Sequence, residues 1–264
     1  FTCDIPSETF ARTIAATGSS APGPDGIPYG AWRHANQDCH DVLYRLLDDT
    51  LTCPDALPTG FNHSRLIFIP KNDDVSEQQV IQRSAADLRP LNLSNTDNKL
   101  LSLALNDRLA ALCQITVSAQ QRGFVAGRHI EDNLFNLEAA AISISATNLK
   151  RSATILFDFR TAFPALAHDW IFLVFSTMRI PSNFIQAIRQ LYAFCLAMLI
   201  FNGAELSSIL LGSGIKQGCP LSGSIFALAI DPLIRYLLYT SVMGSICITA
   251  FADDIAIVVA NLFT

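Results

Sequence analysis

Residues 246–260, ICITAFADDIAIVVA, decide how the rest of the chain is read. Two carboxylates, Asp253 and Asp254, stand side by side between short apolar runs rich in isoleucine and valine. Such runs, bounded by a polar break, read as buried strands, so the stretch is expected to be a hairpin with both acids at its tip. Burying an unpaired carboxylate is costly, and a second one beside it adds like-charge repulsion. A neutralising partner is therefore expected. Adjacent acids are also a common solvated turn, and the pairs Asp48-Asp49 and Asp73-Asp74 are read that way. A turn made for solvent would more often contain Gly or Asn than the FADD found here.

A third acid has a similar setting. Asp158 ends the apolar run of SATILFDF, residues 152–159, which reads as another buried strand. If that strand lies beside the hairpin, three carboxylates converge at one edge of a sheet. Such a cluster is stable when it holds divalent cations, hard ions that take oxygen ligands. Two magnesium ions held this way serve in-line phosphoryl transfer.

Composition narrows the class. The 264 residues are 50% hydrophobic and 16% charged, enough to bury a large core and unlike a disordered chain. The longest apolar run, LYAFCLAMLIF at 191–201, is too short to span a bilayer, and no charged leader precedes an apolar segment, so a soluble intracellular protein without a membrane partner is expected. Seven scattered cysteines without a C-x-x-C pair read as reduced thiols rather than a zinc site or disulfide framework. The net charge of −5 argues against a surface that grips nucleic acid everywhere, but leaves room for a local basic groove. The chain begins at Phe1 and its first methionine is Met178, which suggests a piece of a longer protein.

Along the chain, a short N-terminal helix precedes the Gly/Pro-rich stretch 19–34, read as loop. A helix over DVLYRLLDDTL, a strand at 66–69 ended by Pro70, and a helix capped by Thr96 or Asp97 with Leu101, Leu105, Leu109 and Leu112 on one stripe come next. A Gly-punctuated loop feeds another helix before residue 150. Beyond the Asp158 strand, helices are expected at about 168–178 and 182–195, then a hairpin with a type I′ turn at Asn202-Gly203, then a helix kinked or stopped by Pro232. The pattern is α+β, helices packed on an antiparallel sheet.

The segments in their order carry a resemblance. AFADDIAIVV resembles the F/Y-x-D-D signature of reverse transcriptases, and ILFDFRTAF resembles the preceding aspartate motif of that family. GIKQGCPLSGSIFALAIDPL, between them, is similar to the family's R-Q-G-x-P-L-S-P element. Upstream, APGPDGIPYGAWR, IFIPKNDD, LRPLNLSNTDNKLLSLALNDRL and QRGFVAGRHIEDNL resemble the fingers-side elements of the non-LTR retrotransposon and group II intron types, so the likeness runs from about residue 19 to 260. It implies a right-hand polymerase with fingers at 1–150 and palm at 151–264, acting as an RNA-directed DNA polymerase on an RNA template, a DNA primer and dNTPs. It also implies a nuclear or cytoplasmic site of action.

The resemblance further implies residue roles. Asp158, Asp253 and Asp254 would be the catalytic acids and, with the carbonyl of Phe159, the ligands of two Mg²⁺ ions, with Mn²⁺ as a substitute. Phe163 would lie under the incoming sugar and exclude a 2′-hydroxyl; its plain alternative is a core phenylalanine. Lys71 and Arg89 would grip the triphosphate as point charge and bidentate fork, where the alternative is two surface cations. Gln217 would contact the nascent base pair, and Lys216 and Gly218 the template or primer. Pro164 departs from the family's D-x-x-x-A-F-D, and S-G-S stands where S-P is usual. The family continues past the acidic hairpin into further palm strands and a thumb, for which the last residues leave no space, so weak hold on primer-template is expected. Competing readings are a decayed remnant without activity, another palm polymerase such as an RNA-dependent RNA polymerase, and an unrelated two-metal nuclease.

Overall fold

The structure is a computed structural model that describes residues 3–71, 84, 87–146, 152–240 and 245–260. The Asp73-Asp74 pair and the expected boundary at 150/151 lie outside these residues. The described chain forms two compact units that interleave along the sequence. One contains residues 106–180 and 221–264; the other contains residues 2–105 and 181–220.

The second unit holds a four-stranded sheet of order β2-β1-β4-β5, made of β1 (Ser64–Pro70), β2 (Leu88–Ser94), β4 (Cys195–Phe201) and β5 (Ala204–Leu211). β1 pairs antiparallel with β2 and parallel with β4. The parallel pair makes this a mixed sheet; the antiparallel sheet expected for the palm stretch belongs to the other unit. β4 and β5 turn through Asn202 and Gly203, both at positive φ (48° and 77°), the type I′ geometry that Asn-Gly favours. Around the sheet lie α1 (Ser7–Ala15), α2 (Tyr29–Arg33), α3 (Gln37–Thr52) and α8 (Ser182–Tyr192). α2 falls inside the stretch read as loop: Trp32 draws it into the structure, its indole N–H donating to Thr96 Oγ1 at 2.7 Å, which overrides the local breakers. The helix α4 (Thr96–Thr116) buries Leu101, Leu105, Leu109 and Leu112 as expected. It starts one residue earlier than the cap reading, because Asn95 supplies the carbonyl that accepts the Lys99 N–H at 3.1 Å.

Gln190, on α8, ties this unit together. Its amide donates to the carbonyls of Thr50 (2.9 Å) and Cys53 (3.0 Å) and accepts the Ala56 N–H at 2.8 Å. Asn62 extends the network, donating to the carbonyls of Gln190 and Ala193 at 2.7 Å each. Buried polar groups satisfied this completely rigidify a core, and removing one leaves its partners unpaired.

The other unit carries a three-stranded antiparallel sheet of order β3-β7-β6, from β3 (Ala153–Phe157), β6 (Ser245–Phe251) and β7 (Asp254–Val259). Helices α5 (Ile130–Ala146), α6 (Ala162–Ala165), α7 (His168–Thr177) and α9 (Ser222–Thr240) accompany it. Ala140 and Ile144 of α5 pack against Val258. β3 is not the buried strand its composition suggests. Among the described residues it is an edge strand paired with β7 on one flank, and Leu156 is 75% and Phe157 44% exposed. α9 runs through Pro232 instead of stopping there. Ile225, Leu228 and Ile234 are fully buried, so packing offsets the proline, and Trp170 ties the same stretch to α7 by donating its indole N–H to the Ala229 carbonyl at 2.9 Å. Just before it, buried Asp231 accepts the Ser118 N–H at 2.7 Å and pairs with Arg235 at 2.5 Å.

All seven cysteines are free thiols, and burial pushes Cys113 up to about 11, which keeps it inert. Among the described residues no helix is long and apolar enough to cross a membrane.

Replacing Gln190 by Ala leaves two carbonyls and one N–H without their partner, each costing about 1 kcal/mol or more. Urea unfolding of Gln190→Ala should show a loss of about 3 kcal/mol with an unchanged m-value.

Candidate active site

The hairpin expected at 246–260 is present, with the acids at its tip. Phe251 pairs with Asp254, leaving Ala252 and Asp253 as a two-residue turn. Ala252 takes φ +56°, a left-handed conformation that costs a residue with a Cβ about 1–2 kcal/mol. Glycine is the usual choice at the first central position of a tight turn of this kind. Here the turn is held from outside. The Gln121 side chain, fully buried, accepts the Ala252 N–H at 2.9 Å and donates to the Ala252 carbonyl at 2.9 Å. The same Oε1 accepts the Gly123 N–H at 2.8 Å. Arg122 N–H donates to the Ala250 carbonyl (2.9 Å), and Ala250 N–H to the Gln120 carbonyl (2.9 Å). Residues 120–122 thus lie along β6 like a further strand. A Cβ on Gly123 would stand 2.1 Å from the Ala252 nitrogen, so only glycine permits the approach.

Asp158 arrives through the sheet register. The β3–β7 ladder ends at Phe157 opposite Ile255, which places Asp158 one step on, beside Asp254. The three acids are less buried than the flanking strands imply: Asp158 and Asp254 are exposed and Asp253 is half-buried. A hairpin tip projects beyond the core even when its strands do not. Their mutual repulsion is nevertheless felt. The Asp254 carboxyl is raised above its ordinary value, first by partial desolvation and then by the negative charges of Asp253 and Asp158.

Among the described residues no three carboxylates, histidines or cysteines already close on one centre as a metal cage. The donor chemistry does fit a hard divalent cation, because the set is all oxygen and a cation relieves the repulsion just described. The exposed Asp158 and Asp254 side chains have the rotamer freedom to turn toward it.

Phe159 follows Asp158 and is 39% exposed. The Phe163 ring is half-buried and stacks on Phe226, centroids 4.5 Å apart and planes at 7°, while Phe124 meets its edge at 5.7 Å. One unit therefore brings together Asp158, Phe159, Phe163, Asp253 and Asp254.

The other expected site residues belong to the second unit. Lys71 and Arg89 are both exposed at one end of the β1–β2 ladder, where Ile69 pairs with Arg89 and Lys71 N–H donates to the Asp87 carbonyl at 2.9 Å. Strand alternation puts residues 69 and 71 on one face, so Arg89 shares it with Lys71. Lys216 departs from its expected contact with template or primer. It is 5% exposed, and its ammonium donates to the Leu191 carbonyl at 3.0 Å and lies 5.4 Å from the Tyr192 ring centroid. An ammonium engaged this way holds its own loop. Gln217, half-buried, accepts the Asn92 N–H at its backbone carbonyl (2.8 Å). Gly218 sits at φ +104°, where a Cβ would stand 2.7 Å from the Asn92 oxygen. The close approach that needs glycine here is therefore to β2 of the same unit.

Gln121, Gly123 and Phe226 have no role in the sequence reading. The Q-R-G-F run was visible as part of a motif, but nothing in one sequence said which turn it would hold.

The family model described as reverse transcriptase (RNA-dependent DNA polymerase) matches residues 69–262. Among curated proteins, the chain is 26% identical over 255 residues to the transposon TX1 uncharacterized 149 kDa protein of Xenopus laevis, covering 92% of this chain and 18% of that protein. It is 27% identical over 255 residues to the Pol polyprotein of the type-2 retrotransposable element R2DM of Drosophila melanogaster, covering 95% of this chain and 23% of that protein. The chain thus spans about a fifth of the length of these relatives. Among solved structures, apo telomerase of Candida tropicalis, truncated from the C-terminal domain, matches with a TM-score of 0.55 at 11% identity, over 84% of this chain and 49% of that one. That likeness concerns the fold, a mixed α+β arrangement of polymerase fingers and palm. With the family match spanning most of its length, this chain belongs to the reverse transcriptase family, and its curated relatives are retrotransposon proteins of the non-LTR kind.

Proposed function

We propose that this chain catalyses RNA-directed DNA synthesis, extending the 3′-hydroxyl of a primer with dNTPs. The observation that carries the reading is the β3–β7 register, which sets Asp158 beside Asp254 at the hairpin tip, within reach of its charge. In this reading Asp158 and Asp253, with Asp254 and the Phe159 carbonyl, hold two Mg²⁺ ions, for which Mn²⁺ can substitute. Bound there, such ions supply activation of the primer hydroxyl and stabilisation of charge on the transferring phosphoryl group. The acids themselves would hold the ions and so orient the reacting groups.

The remaining roles fall to side chains of fixed shape or charge. Phe163, braced by Phe226, presents a ring edge in the space that a ribose 2′-hydroxyl needs. Lys71 and Arg89, on one face of their hairpin end, draw in the triphosphate, Arg89 as a fork and Lys71 as a point charge. Gln217 and Gly218 face the base pair and template strand, and Lys216 keeps their loop in place from inside. In functional terms residues 1–150 act as fingers and 151–264 as palm, with the Gln121 segment serving the palm sheet. The alternatives predict different chemistry: an RNA polymerase would prefer NTPs, and a remnant would bind nucleic acid without extending it.

Primer extension on poly(rA)·oligo(dT) with dTTP and Mg²⁺ tests the reading. The chain should incorporate dTMP, and Asp253→Ala should reduce incorporation about a thousandfold, the several kcal/mol that metal-held charge stabilisation supplies. A folded chain that binds primer-template and adds no dTMP would mean the remnant reading is correct.

Phe163→Ala should lower the preference for dTTP over UTP by about tenfold or more, the effect of opening one side-chain volume in a close-fitting pocket. Competition assays with both nucleotides measure it, and an unchanged ratio would return Phe163 to the plain core role.

Asp254 gives a pH prediction. Its carboxyl titrates higher in the folded chain than in the unfolded one, so folding takes up a proton between the two values, and stability falls as pH rises through that window. With chelator present, Asp254→Asn should therefore melt above the wild type at neutral pH, and the difference should vanish below the ordinary value of 3.8. Saturating Mg²⁺ should raise the wild-type melting temperature more than that of the variant.

A further inference from the structure

The turn that carries Asp253 is set by a side chain far away in sequence. Ala252 is a residue with a Cβ in a left-handed conformation, at a position where an unaided turn would use glycine. What keeps it there is the Gln121 carboxamide, which takes both polar groups of Ala252, accepting its N–H and donating to its carbonyl, each at 2.9 Å. An amide that binds N–H and C=O of one residue fixes the orientation of the peptide planes on either side of it. The following plane leads directly to Asp253. Gln121 is fully buried and cannot exchange these bonds for water, and its Oε1 is itself located by the Gly123 N–H. Arg128 fastens the base of the bracket, donating to the Gln121 and Ser118 carbonyls at 2.7 Å each. Asn133 adds a bond to the Ala250 carbonyl at 2.9 Å.

We infer that Gln121 is a positioning residue for the acidic pair: its carboxamide fixes the Ala252–Asp253 turn and thereby sets the affinity of the carboxylates for a divalent cation. The inference rests on the polymerase reading and adds to it a residue that never touches substrate or metal. The same segment reaches a second element of the site, since Phe124, next after Gly123, places its ring against the edge of Phe163. The QRGF run therefore sets the Asp253 turn with its first residue and braces the sugar-facing ring with its last.

The test compares wild type, Gln121→Met, Gln121→Glu and Asp253→Ala as full chains, at a temperature where each is folded by circular dichroism. Mn²⁺ binding is read directly from the free-ion EPR signal. Gln121→Met keeps the length and removes every hydrogen bond; Mn²⁺ affinity should fall about 10- to 100-fold, the range for lost outer-sphere support of a metal ligand. The Mg²⁺ concentration for half-maximal primer extension should rise in parallel, and the Ala252 amide should exchange with solvent faster. Gln121→Glu, which keeps an acceptor oxygen but turns a second oxygen on the Ala252 carbonyl, should also weaken Mn²⁺ binding, and stands in if the Met variant does not fold. Adding Ala252→Gly to Gln121→Met should recover part of the affinity, because glycine holds the left-handed turn without support.

Folded Gln121 variants with wild-type Mn²⁺ affinity and Mg²⁺ dependence would overturn the inference and leave a structural glutamine, with the polymerase reading intact. A wild type that binds no more Mn²⁺ than Asp253→Ala and extends no primer would overturn the polymerase reading and this inference together.

Discussion

The candidate site depends on one pairing, the antiparallel ladder between β3 and β7. Asp158 and the FADD turn are almost a hundred residues apart in sequence, and the ladder is what makes them neighbours. Its register is specific, because a slip of one residue would turn Asp158 to the opposite face of the sheet. β7 is anchored on both faces, with Ile255 and Ile257 buried on one and Val258 on the other. β3 contributes less to the core and has one flank uncovered among the described residues. Its position is thus fixed mainly by hydrogen bonding to a neighbour that is itself firmly packed.

Around this pairing the sequence was informative in proportion to how local each signal was. The hairpin tip, the Asn202-Gly203 turn and the leucine stripe of α4 are written in short patterns, and each takes the expected form. Burial was harder to read. ATILF has the composition of an interior strand, yet apolar residues on an edge strand look the same in sequence as those in the middle of a sheet. Pro232 was expected to stop or kink a helix, and the packing of Ile225, Leu228 and Ile234 carried the helix through. Lys216 stood where a contact with template or primer was expected and turned inward to the Leu191 carbonyl, which no spacing rule could have shown.

The acids themselves were found by type and order. Their supports were not. A glutamine whose side chain bonds the backbone groups of Ala252 and Gly123 looks, in a sequence, like any surface glutamine. The glycine that lets it approach looks like an ordinary loop residue. Both become informative only when the contact they make is known, as the 2.1 Å clearance at Gly123 illustrates.

That contact has a consequence for how the chain acquires its shape. The bonds from Gln121 to Ala252 join residues 131 apart, and those from Gln190 to Thr50 join residues 140 apart. Closing loops of that size is entropically slow, and a fold dominated by such closures reaches its final state late. During synthesis the Gln121 segment emerges long before its partner exists, so its buried polar groups must wait in solvent or in non-native company. The turn at Ala252 accordingly takes its final form only once both segments have been made, and until then the acidic pair lacks its support.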